Sequence, residues 1–357
     1  MSGGVDSSVT ACLLKLQGHD VIGVRFRLWQ DPKTPAHAQI LPTKCCDVQT
    51  VNRARMVAKQ LGIPLHEVDL RKIFKHRVVD PYIASSCTGL TPNPCVLCNR
   101  VFKCTELLKL AKKLKCDAVA TGHYARLRKN RDGSVSILEA RDPRKDQSYF
   151  LSRLTQAQLR RCVLPLGTRR KTEVYALAKK FRIPVEKMTY RESQDLCFFP
   201  EQSPAAFLRR YIKKNPGPII TRSGTVIGTH EGLAFYTVGQ RRGLNIGGLK
   251  IPVHVVGKDR RTNALIVAPR GEDTSHEAMA TSLSFPATPL PRKHRVTLHA
   301  RIRASGERHR GTFTHDGKRG TFRFAKPVRG VTPGQALVLY KGKEIVGSGV
   351  IEKAKKD

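Results

Sequence analysis

Apolar and polar positions follow two different patterns along the chain, and the change falls near residue 200. Before it, short β-branched runs predict strands, and stretches with helical spacing of apolar residues separate them. The strand-like runs are HDVIGVRFRLW, PLHEVDL and DAVATGHYARL, and the helical stretches are CDVQTVNRARMVAKQLG, NRVFKCTELLKLAKKLK and KTEVYALAKKFR. Such alternation is typical of an α/β domain with a doubly wound parallel sheet.

The rest of the chain has a β pattern. From residue 204 to about 280, glycines and turns separate short strands such as HVVGKD and ALIVA. From about residue 281, the runs HRVTLHARIRA, GTFTHDGKRGTFRF and QALVLYKGKEIVGSGVIE resemble hairpins, which favours a small antiparallel β-barrel. Since 357 residues exceed one compact core, we predict an α/β domain over 1–203, a small, mainly β central domain over 204–280 and a C-terminal barrel over 281–357.

Charge narrows the class of partner. The chain carries 65 Lys and Arg against 28 Asp and Glu, a formal net charge of +37. Such an excess favours a polyanionic partner, above all nucleic acid. Solvated surface charge without a partner is the alternative, and net charge alone does not separate the two.

The cysteines point to a reducing compartment. All ten lie in the first 197 residues, and nothing that resembles a secretory signal precedes them. No run of about 18 apolar residues predicts a membrane span. We therefore expect a cytoplasmic protein without a framework of structural disulfides. Cys95 and Cys98 form a C-x-x-C pair, which suits either metal binding or thiol chemistry.

The strongest local motif opens the chain. Residues 2 to 8 read SGGVDSS and precede the apolar helical pattern VTACLLKL. Two glycines let the backbone curl around an anion, Ser7 and Ser8 add hydroxyl donors, and the helix offers the positive end of its dipole. The loop lacks the Lys of a Walker motif, so it predicts a different phosphate site. Taken alone, a Gly-Gly turn before a helix is more often an ordinary turn.

An ordered series of motifs extends beyond this loop and covers nearly the whole chain. It comprises MSGGVDSSV, CCDVQTVNRARMVAKQLGIP, GLTPNPCVLCNR, ATGHYAR, KDQSYFL, LPLG, ESQDLCF, FYTVGQRRGL and VTPGQALVLY. The series resembles the tRNA-specific 2-thiouridylases, which belong to the PP-loop ATP pyrophosphatase superfamily. SGGVDSS by itself is typical of the superfamily only, whereas NPCVLCN followed much later by SQDLCF is typical of this family.

The resemblance implies a reaction. ATP, with Mg²⁺ screening its phosphates, would adenylate the C2 oxygen of the wobble uridine in tRNAs of the Lys, Glu and Gln type. A protein-borne sulfur would then displace AMP, since the adenylated oxygen is a far better leaving group than a carbonyl oxygen. The sulfur would come from a donor such as a cysteine desulfurase or a relay protein, and the enzyme would act as a monomer.

The resemblance also implies binding residues. Those for ATP would be Ser2, Gly3, Gly4, Val5, Asp6, Ser7, Ser8 and Gly122. Those for tRNA would be Asn93, Asn99, Lys103, His123, Lys145, Gln147, Gln240, Arg241 and Arg242. The residues alone leave alternatives open: His123 would also suit a packed core, and Gln147 with Ser148 would suit an ordinary helix start.

Three cysteines would be catalytic by the same resemblance. Cys197 would carry a persulfide, and Cys98 would attack it to release the terminal sulfur, which would leave a disulfide between them. We expect a lowered pKa for Cys98, because it stands where a helix is predicted to begin, with Arg100 and Lys103 nearby. Without the motif, Cys197 would be interpreted as a buried apolar cysteine.

Cys95 departs from the pattern of well-studied relatives, which carry an Asp that acts as an acid or base, although other members carry Cys. A thiol still exchanges protons, so the persulfide route stands. Cys95, Cys98 and Cys197 would also suit three irons of a 4Fe-4S cluster. Zinc is favoured less, because a structural site needs four ligands and no second C-x-x-C occurs. Adjacent Cys45 and Cys46 suit neither a disulfide nor a shared metal and predict a helix start.

A second departure lies at the start of the chain. In the family a hydrophobic strand precedes the loop, but here Met1 stands directly before it. Either the start lies upstream or the sheet is open at its centre. Two rival functions remain at this point. A PP-loop ligase that adenylates a carboxylate or amide would lack the paired cysteines, and a noncatalytic RNA-binding metalloprotein would have no use for the phosphate loop.

Overall fold

The computed structural model describes residues 1–35, 48–184, 196–199, 203–247, 251–269 and 271–356. The helix start predicted at Cys45 and Cys46 lies outside these residues, as do residues 192–195 of the ESQDLCF motif. Within the described ranges, no helix is long and apolar enough to cross a membrane.

The N-terminal part alternates helices and strands as predicted. Its strands are β1 (Gly23–Arg27), β2 (Leu65–Asp69), β3 (Val119–Ala120), β4 (Ala125–Lys129), β5 (Val135–Glu139) and β6 (Cys162–Val163). Its α-helices are α1 (Val5–Leu16), α2 (Val48–Leu61), α3 (Arg71–Phe74), α4 (Asp80–Cys87), α5 (Pro94–Cys98), α6 (Cys104–Lys113), α7 (Ser148–Leu151), α8 (Gln156–Leu159) and α9 (Lys171–Lys180). Two π-helical turns, π1 (Lys75–Val79) and π2 (Asn99–Lys103), join α3 to α4 and α5 to α6.

The strands of the predicted parallel sheet pair in two separate places. β1 pairs with β2 in parallel from Gly23 opposite Leu65 to Arg27 opposite Asp69, and β3 pairs with β6 in parallel. Among the described residues these are two-stranded sheets that do not join. Parallel pairing with helical crossovers confirms the α/β class. Helix α1 packs against α2 and α9 through a buried cluster that includes Val5, Val9 and Val174.

The middle part forms a small mixed sheet. It begins with the short helix α10 (Pro204–Leu208). Its strands are β7 (Gly217–Ile220), β8 (Val226–His230), β9 (Val253–Asp259) and β10 (Ala264–Pro269), in the order β8-β7-β10-β9. A 3-10 turn (Leu233–Phe235) packs with this sheet against aromatic residues of the N-terminal part, among them Phe74 and Phe198.

The C-terminal part is a closed antiparallel barrel, which confirms the prediction. Its six strands are β11 (Thr274–Ser284), β12 (Val296–Arg301), β13 (His309–His315), β14 (Arg319–Arg329), β15 (Ala336–Lys341) and β16 (Glu344–Lys356). They follow the order β11-β14-β13-β12-β15-β16, and β16 pairs back onto β11. The boundary predicted between residues 280 and 281 falls inside β11, so we propose a barrel that begins at Thr274.

A hairpin of the N-terminal part extends the barrel sheet, which the sequence pattern did not predict. β4 and β5 pair through a turn at residues 130–134, where Gly133 has a φ of 75°. β5 then pairs with β16, with Leu138 opposite Glu344 and Ile137 opposite Ile345. Ile137 is fully buried in a core shared with the barrel, and burial of such a side chain stabilises by about 1.5–3 kcal/mol. The two parts therefore share one hydrophobic core.

Candidate functional site

The SGGVDSS loop forms a tight cradle at the start of α1. Gly3 has a φ of 77°, in the left-handed region that favours glycine. A Cβ at Gly3 would lie 2.0 Å from the carbonyl oxygen of Thr50 in α2, so a side chain has no room there. Arg53 of the same helix donates to the Gly3 carbonyl over 3.0 Å. The loop is thus held against α2 by contacts that only a glycine permits.

Serine hydroxyl groups lie within the cradle. Ser7 Oγ donates to the Gly4 carbonyl over 3.0 Å and accepts from the Ser2 amide over 3.1 Å. Ser8 is fully buried, and its hydroxyl has no hydrogen-bond partner within the described part of the chain. Gly4 caps α1 without a side-chain bond, which leaves the positive end of the helix for an anion. The start of α1 is the feature of this loop that suits an anion such as a phosphate group.

Asp6 carries an ion pair that the sequence did not predict. Its Oδ1 accepts from Lys171 Nζ over 2.7 Å and from the Tyr124 hydroxyl over 2.8 Å. The Lys171 side chain is only 8% exposed and its ammonium also lies over the Tyr175 ring. The sequence signals for this contact were the basic start of the helical stretch KTEVYALAKKFR and the tyrosine of ATGHYAR. It brings a buried positive charge to the first turn of α1.

The TGHY segment packs directly on the cradle. A Cβ at Gly122 would lie 2.9 Å from the carbonyl carbon of Asp6 and 3.0 Å from the Ser7 nitrogen. The neighbouring His123 is 9% exposed, with Nδ1 2.8 Å from Thr121 Oγ1 and Nε2 3.5 Å from Lys103 Nζ. Burial, and secondarily the Lys103 charge, hold the pKa of His123 well below its usual value. His123 is therefore neutral at physiological pH.

The KDQS turn is tied to the same segment. The backbone amide of Gln147 donates to the Tyr124 carbonyl over 2.8 Å, and its side-chain oxygen accepts from the Tyr124 amide over 3.0 Å. Helix α7 begins at Ser148, so the helix start predicted there is present as well. Lys145 precedes it in a partly exposed turn. The structure thus brings Gly122, His123 and Gln147 together beside the cradle.

The C-x-x-C pair lies on the short helix α5. Asn93 caps this helix, since its side-chain oxygen accepts from the Val96 amide over 3.3 Å, and Pro94 occupies the first helical position. Cys98 ends α5 instead of beginning a helix, and π2 follows it. Asn99, the first residue of π2, is buried and donates to the carbonyls of Cys95 and Phe150. A tRNA contact by Asn99 stays a prediction.

The lowered pKa expected for Cys98 is wrong for this structure. Burial raises the pKa of Cys98 to about 12, which outweighs the opposite effect of the Lys103 charge. Burial likewise raises the pKa of Cys95. Desolvation disfavours a thiolate more than one nearby ammonium favours it. Both thiols are therefore protonated at neutral pH in this state of the site.

Cys197 lies against the same hydrophobic cluster as Cys98. Both pack on a core that includes Phe102 and Phe198. In the described part of the chain, no three His, Cys, Asp or Glu residues are grouped so that they would hold a metal ion. The arrangement thus places two thiol-bearing residues on one core and gives no separate support to a cluster.

The last predicted tRNA contacts lie elsewhere, on a loop of the middle part. Gln240 accepts from the Thr237 amide over 3.0 Å and donates to the Arg242 carbonyl over 2.9 Å. Arg241 and Arg242 are exposed. Their guanidinium groups are available to a phosphate backbone, and their role stays a prediction.

Comparison with known proteins assigns the chain to a family. Family models described as tRNA methyl transferase HUP domain, tRNA methyl transferase PRC-barrel domain and aminomethyltransferase beta-barrel domain match residues 1–201, 205–269 and 275–351. The tRNA-specific 2-thiouridylase MnmA of Geobacter metallireducens is 42% identical over 359 residues, which cover 99% of this chain and 96% of that protein. The chain belongs to the tRNA-specific 2-thiouridylase family.

Two further relatives show the same full-length match. The MnmA proteins of Enterococcus faecalis and Moorella thermoacetica are 39% and 41% identical, and the matches cover 100% and 99% of this chain. They cover 95% and 98% of those relatives. The similarity therefore extends over nearly the whole length of this chain and of each of the three relatives.

Proposed function

We propose that this protein catalyses ATP-dependent 2-thiolation of the wobble uridine of tRNA. The observation that carries the proposal is the contact between Lys103 Nζ and His123 Nε2, 3.5 Å apart. Lys103 ends the π2 turn that follows Cys98, and His123 follows the glycine that packs on the cradle. This contact joins a nucleotide site to a thiol site, which is the combination that adenylation followed by sulfur transfer needs.

In the first half-reaction the C2 oxygen of uridine attacks the α-phosphorus of ATP and pyrophosphate leaves. The cradle would bind the pyrophosphate half through its serines and the start of α1. Mg²⁺ would reduce the negative charge of the phosphates. Neutral His123 would line the base site, with its ring nitrogens directed to Thr121 and Lys103. Lys145 and Gln147 would complete the pocket from the KDQS turn.

In the second half-reaction the C2 oxygen leaves as AMP. A persulfide on Cys197 supplies the sulfur: the Cys98 thiol attacks the inner sulfur, the terminal sulfur leaves as hydrosulfide and attacks C2, and a Cys98 to Cys197 disulfide forms. The released protons pass to solvent, because the Cys95 thiol, three residues before Cys98 on α5, is itself protonated. A thiol reductant must then reduce the disulfide before the next turnover.

Because the pKa of Cys98 is high, its attack on the persulfide requires a change in the site. A thiol with a pKa of about 12 is a weak nucleophile at neutral pH. We propose that tRNA and ATP binding rearranges α5 and π2 so that Lys103 stabilises the thiolate. A 4Fe-4S cluster on Cys95, Cys98 and Cys197 is the alternative route, and iron content together with activity separates the two.

The remaining features of the proposal come from the family resemblance. The substrates would be tRNAs of the Lys, Glu and Gln type, and the sulfur donor would be a cysteine desulfurase or a relay protein. The basic surface, with its net charge of +37, suits a tRNA backbone. We propose a cytoplasmic monomer.

The direct test is reconstitution. The purified protein is incubated with unmodified tRNA, ATP, Mg²⁺ and a persulfide donor, and the digested tRNA is analysed by mass spectrometry for 2-thiouridine. Formation of the thionucleoside only when ATP is present supports the proposal. Pyrophosphate release that depends on a carboxylate substrate instead of tRNA would favour a PP-loop ligase, and tRNA binding without any ATP consumption would favour a noncatalytic RNA-binding protein.

A further inference from the structure

The C-terminal barrel contacts the segment that carries the cysteines. Gln335, in the turn before β15, donates from Nε2 to the Thr91 carbonyl over 3.0 Å and accepts at Oε1 from the side-chain Nδ2 of Asn93 over 3.4 Å. The Thr91 amide donates to the Pro333 carbonyl over 3.0 Å. Three hydrogen bonds therefore join the barrel turn at residues 333–335 to the loop immediately before α5.

Gly334 makes this approach possible. Its φ is 96°, and a Cβ there would lie 2.9 Å from the backbone of Thr91. The other polar atom of the same Asn93 side chain, Oδ1, is the oxygen that caps α5. One chain of contacts thus runs from Gln335 through Asn93 to the first turn of the helix that ends at Cys98.

A second barrel residue contacts the adenylation side of the site. Arg301, at the end of β12, donates to Asp146 Oδ2 over 2.8 Å and lies 3.2 Å from Glu139. The Asp146 side chain is 2% exposed and accepts from the amides of Ala140 and Ser148 over 2.9 and 3.3 Å. These bonds fix the turn that carries Lys145 and Gln147. A buried carboxylate that loses its cation becomes strongly unfavourable, so this turn depends on Arg301.

We propose that Gln335 and Arg301 are positioning residues of the thiolation reaction, and that they act on different half-reactions. Gln335 positions the cysteine helix for sulfur transfer, and Arg301 positions the KDQS turn for adenylation. The inference rests on the proposed function. The barrel is then part of the framework of the site and does more than bind tRNA.

The two residues differ in the reaction step that their loss impairs. An adenylated uridine that sulfur does not capture is open to water, which restores uridine and releases AMP. A misplaced cysteine helix therefore raises the AMP released per 2-thiouridine formed, whereas a misplaced KDQS turn lowers both products together. Loss of folded protein also lowers AMP and 2-thiouridine together. The ratio of AMP to 2-thiouridine is therefore the informative quantity for Gln335. For Arg301, the fraction of folded protein must be measured as well.

The experiment compares Gln335→Ala, Arg301→Gln and the barrel control Thr297→Ala, an exposed residue of β12. With persulfide donor and saturating ATP, AMP and 2-thiouridine are measured together, alongside thermal unfolding and tRNA affinity. We expect Gln335→Ala to raise the AMP to 2-thiouridine ratio about fivefold or more, and Arg301→Gln to lower both products about tenfold with the ratio unchanged. Thr297→Ala should match the wild type.

Conservative variants keep the test decisive if a protein fails to fold. Asn93→Asp retains the oxygen that caps α5 but removes the donor to Gln335, so it should also raise the ratio. Arg301→Lys keeps the charge beside Asp146 and should recover part of the adenylation rate. Equal ratios in wild type, Gln335→Ala and Asn93→Asp would overturn the inference for Gln335, and normal adenylation by Arg301→Gln would overturn it for Arg301. A wild type that forms no 2-thiouridine would contradict the proposed function instead.

Discussion

Replacement of Gly122 by Ala tests how closely the TGHY segment must approach the cradle. The added Cβ would lie 2.9 Å from the carbonyl carbon of Asp6 and 3.0 Å from the Ser7 nitrogen. Carbon atoms pack best at about 3.5–4.0 Å, so the segment must move by roughly 0.5 Å or more. The nearest atoms are two backbone atoms and the Cβ of Asp6 in the first turn of α1, and no side-chain rotation moves them.

The expected cost follows from this overlap. Overpacking of this kind costs about 1–3 kcal/mol, and a displacement on the order of 1 Å in a reacting geometry lowers a rate about a hundredfold. We expect the tRNA-dependent release of pyrophosphate by Gly122→Ala to fall about tenfold to a hundredfold, which corresponds to about 1.4–2.7 kcal/mol in the barrier. ATP affinity should fall as well, because the cradle itself is distorted.

The assay is a coupled measurement of pyrophosphate release with titration calorimetry of ATP binding. Gly247→Ala is the matched control, because among the described residues no atom lies within 4 Å of its added Cβ, and its φ is not in the left-handed region. That variant should bind ATP and release pyrophosphate as the wild type does. If Gly122→Ala did the same, the close packing of TGHY on the cradle would have no part in adenylation.

Three further predictions concern the thiols and the charge. Alkylation of Cys98 by iodoacetamide in the free protein should keep accelerating above pH 9, because the thiolate reacts and burial raises the pKa of this thiol to about 12; a plateau below pH 8 would contradict the buried thiol. Affinity for tRNA should fall steeply with salt, with a log-log slope on the order of five or more; an affinity that does not change with salt would show that the charge serves no backbone contact. Cys95→Asp should stay colourless, free of iron and substantially active if sulfur moves as a persulfide; an iron-loaded, brown wild type whose variant loses both colour and activity would establish the cluster.

Sequence patterns within single segments predicted the helices and hairpins that those segments form. α2 and α9 lie within the stretches CDVQTVNRARMVAKQLG and KTEVYALAKKFR, because periodic apolar positions define one buried helix face. The barrel followed from alternating hairpin runs separated by turns. The pairing of β5 with β16 was not predictable in this way, because Leu138 and Glu344 are far apart in the chain and neither run identifies its partner.

The candidate site was likewise predictable where it depends on local motifs and not where it depends on contacts between distant parts of the chain. The motifs indicated the cradle, the TGHY and KDQS segments and the cysteines, and the structure places the first three together. The pKa of Cys98 was misjudged because sequence neighbours show nearby charges but not burial, and burial dominates here. Lys171, Arg301 and Gln335 were missed because each acts across more than a hundred residues of chain, on Asp6, Asp146 and Thr91.

The central claim is that adenylation and sulfur transfer are separate steps and that Cys197 carries the sulfur. The most direct measurement is a single turnover of Cys197→Ser with unmodified tRNA, labelled ATP, Mg²⁺ and a persulfide donor, in which pyrophosphate and 2-thiouridine are measured in the same sample. The account predicts tRNA-dependent pyrophosphate release close to that of the wild type and no 2-thiouridine, since no cysteine is needed to form the adenylate. Full thiolation by Cys197→Ser would contradict it.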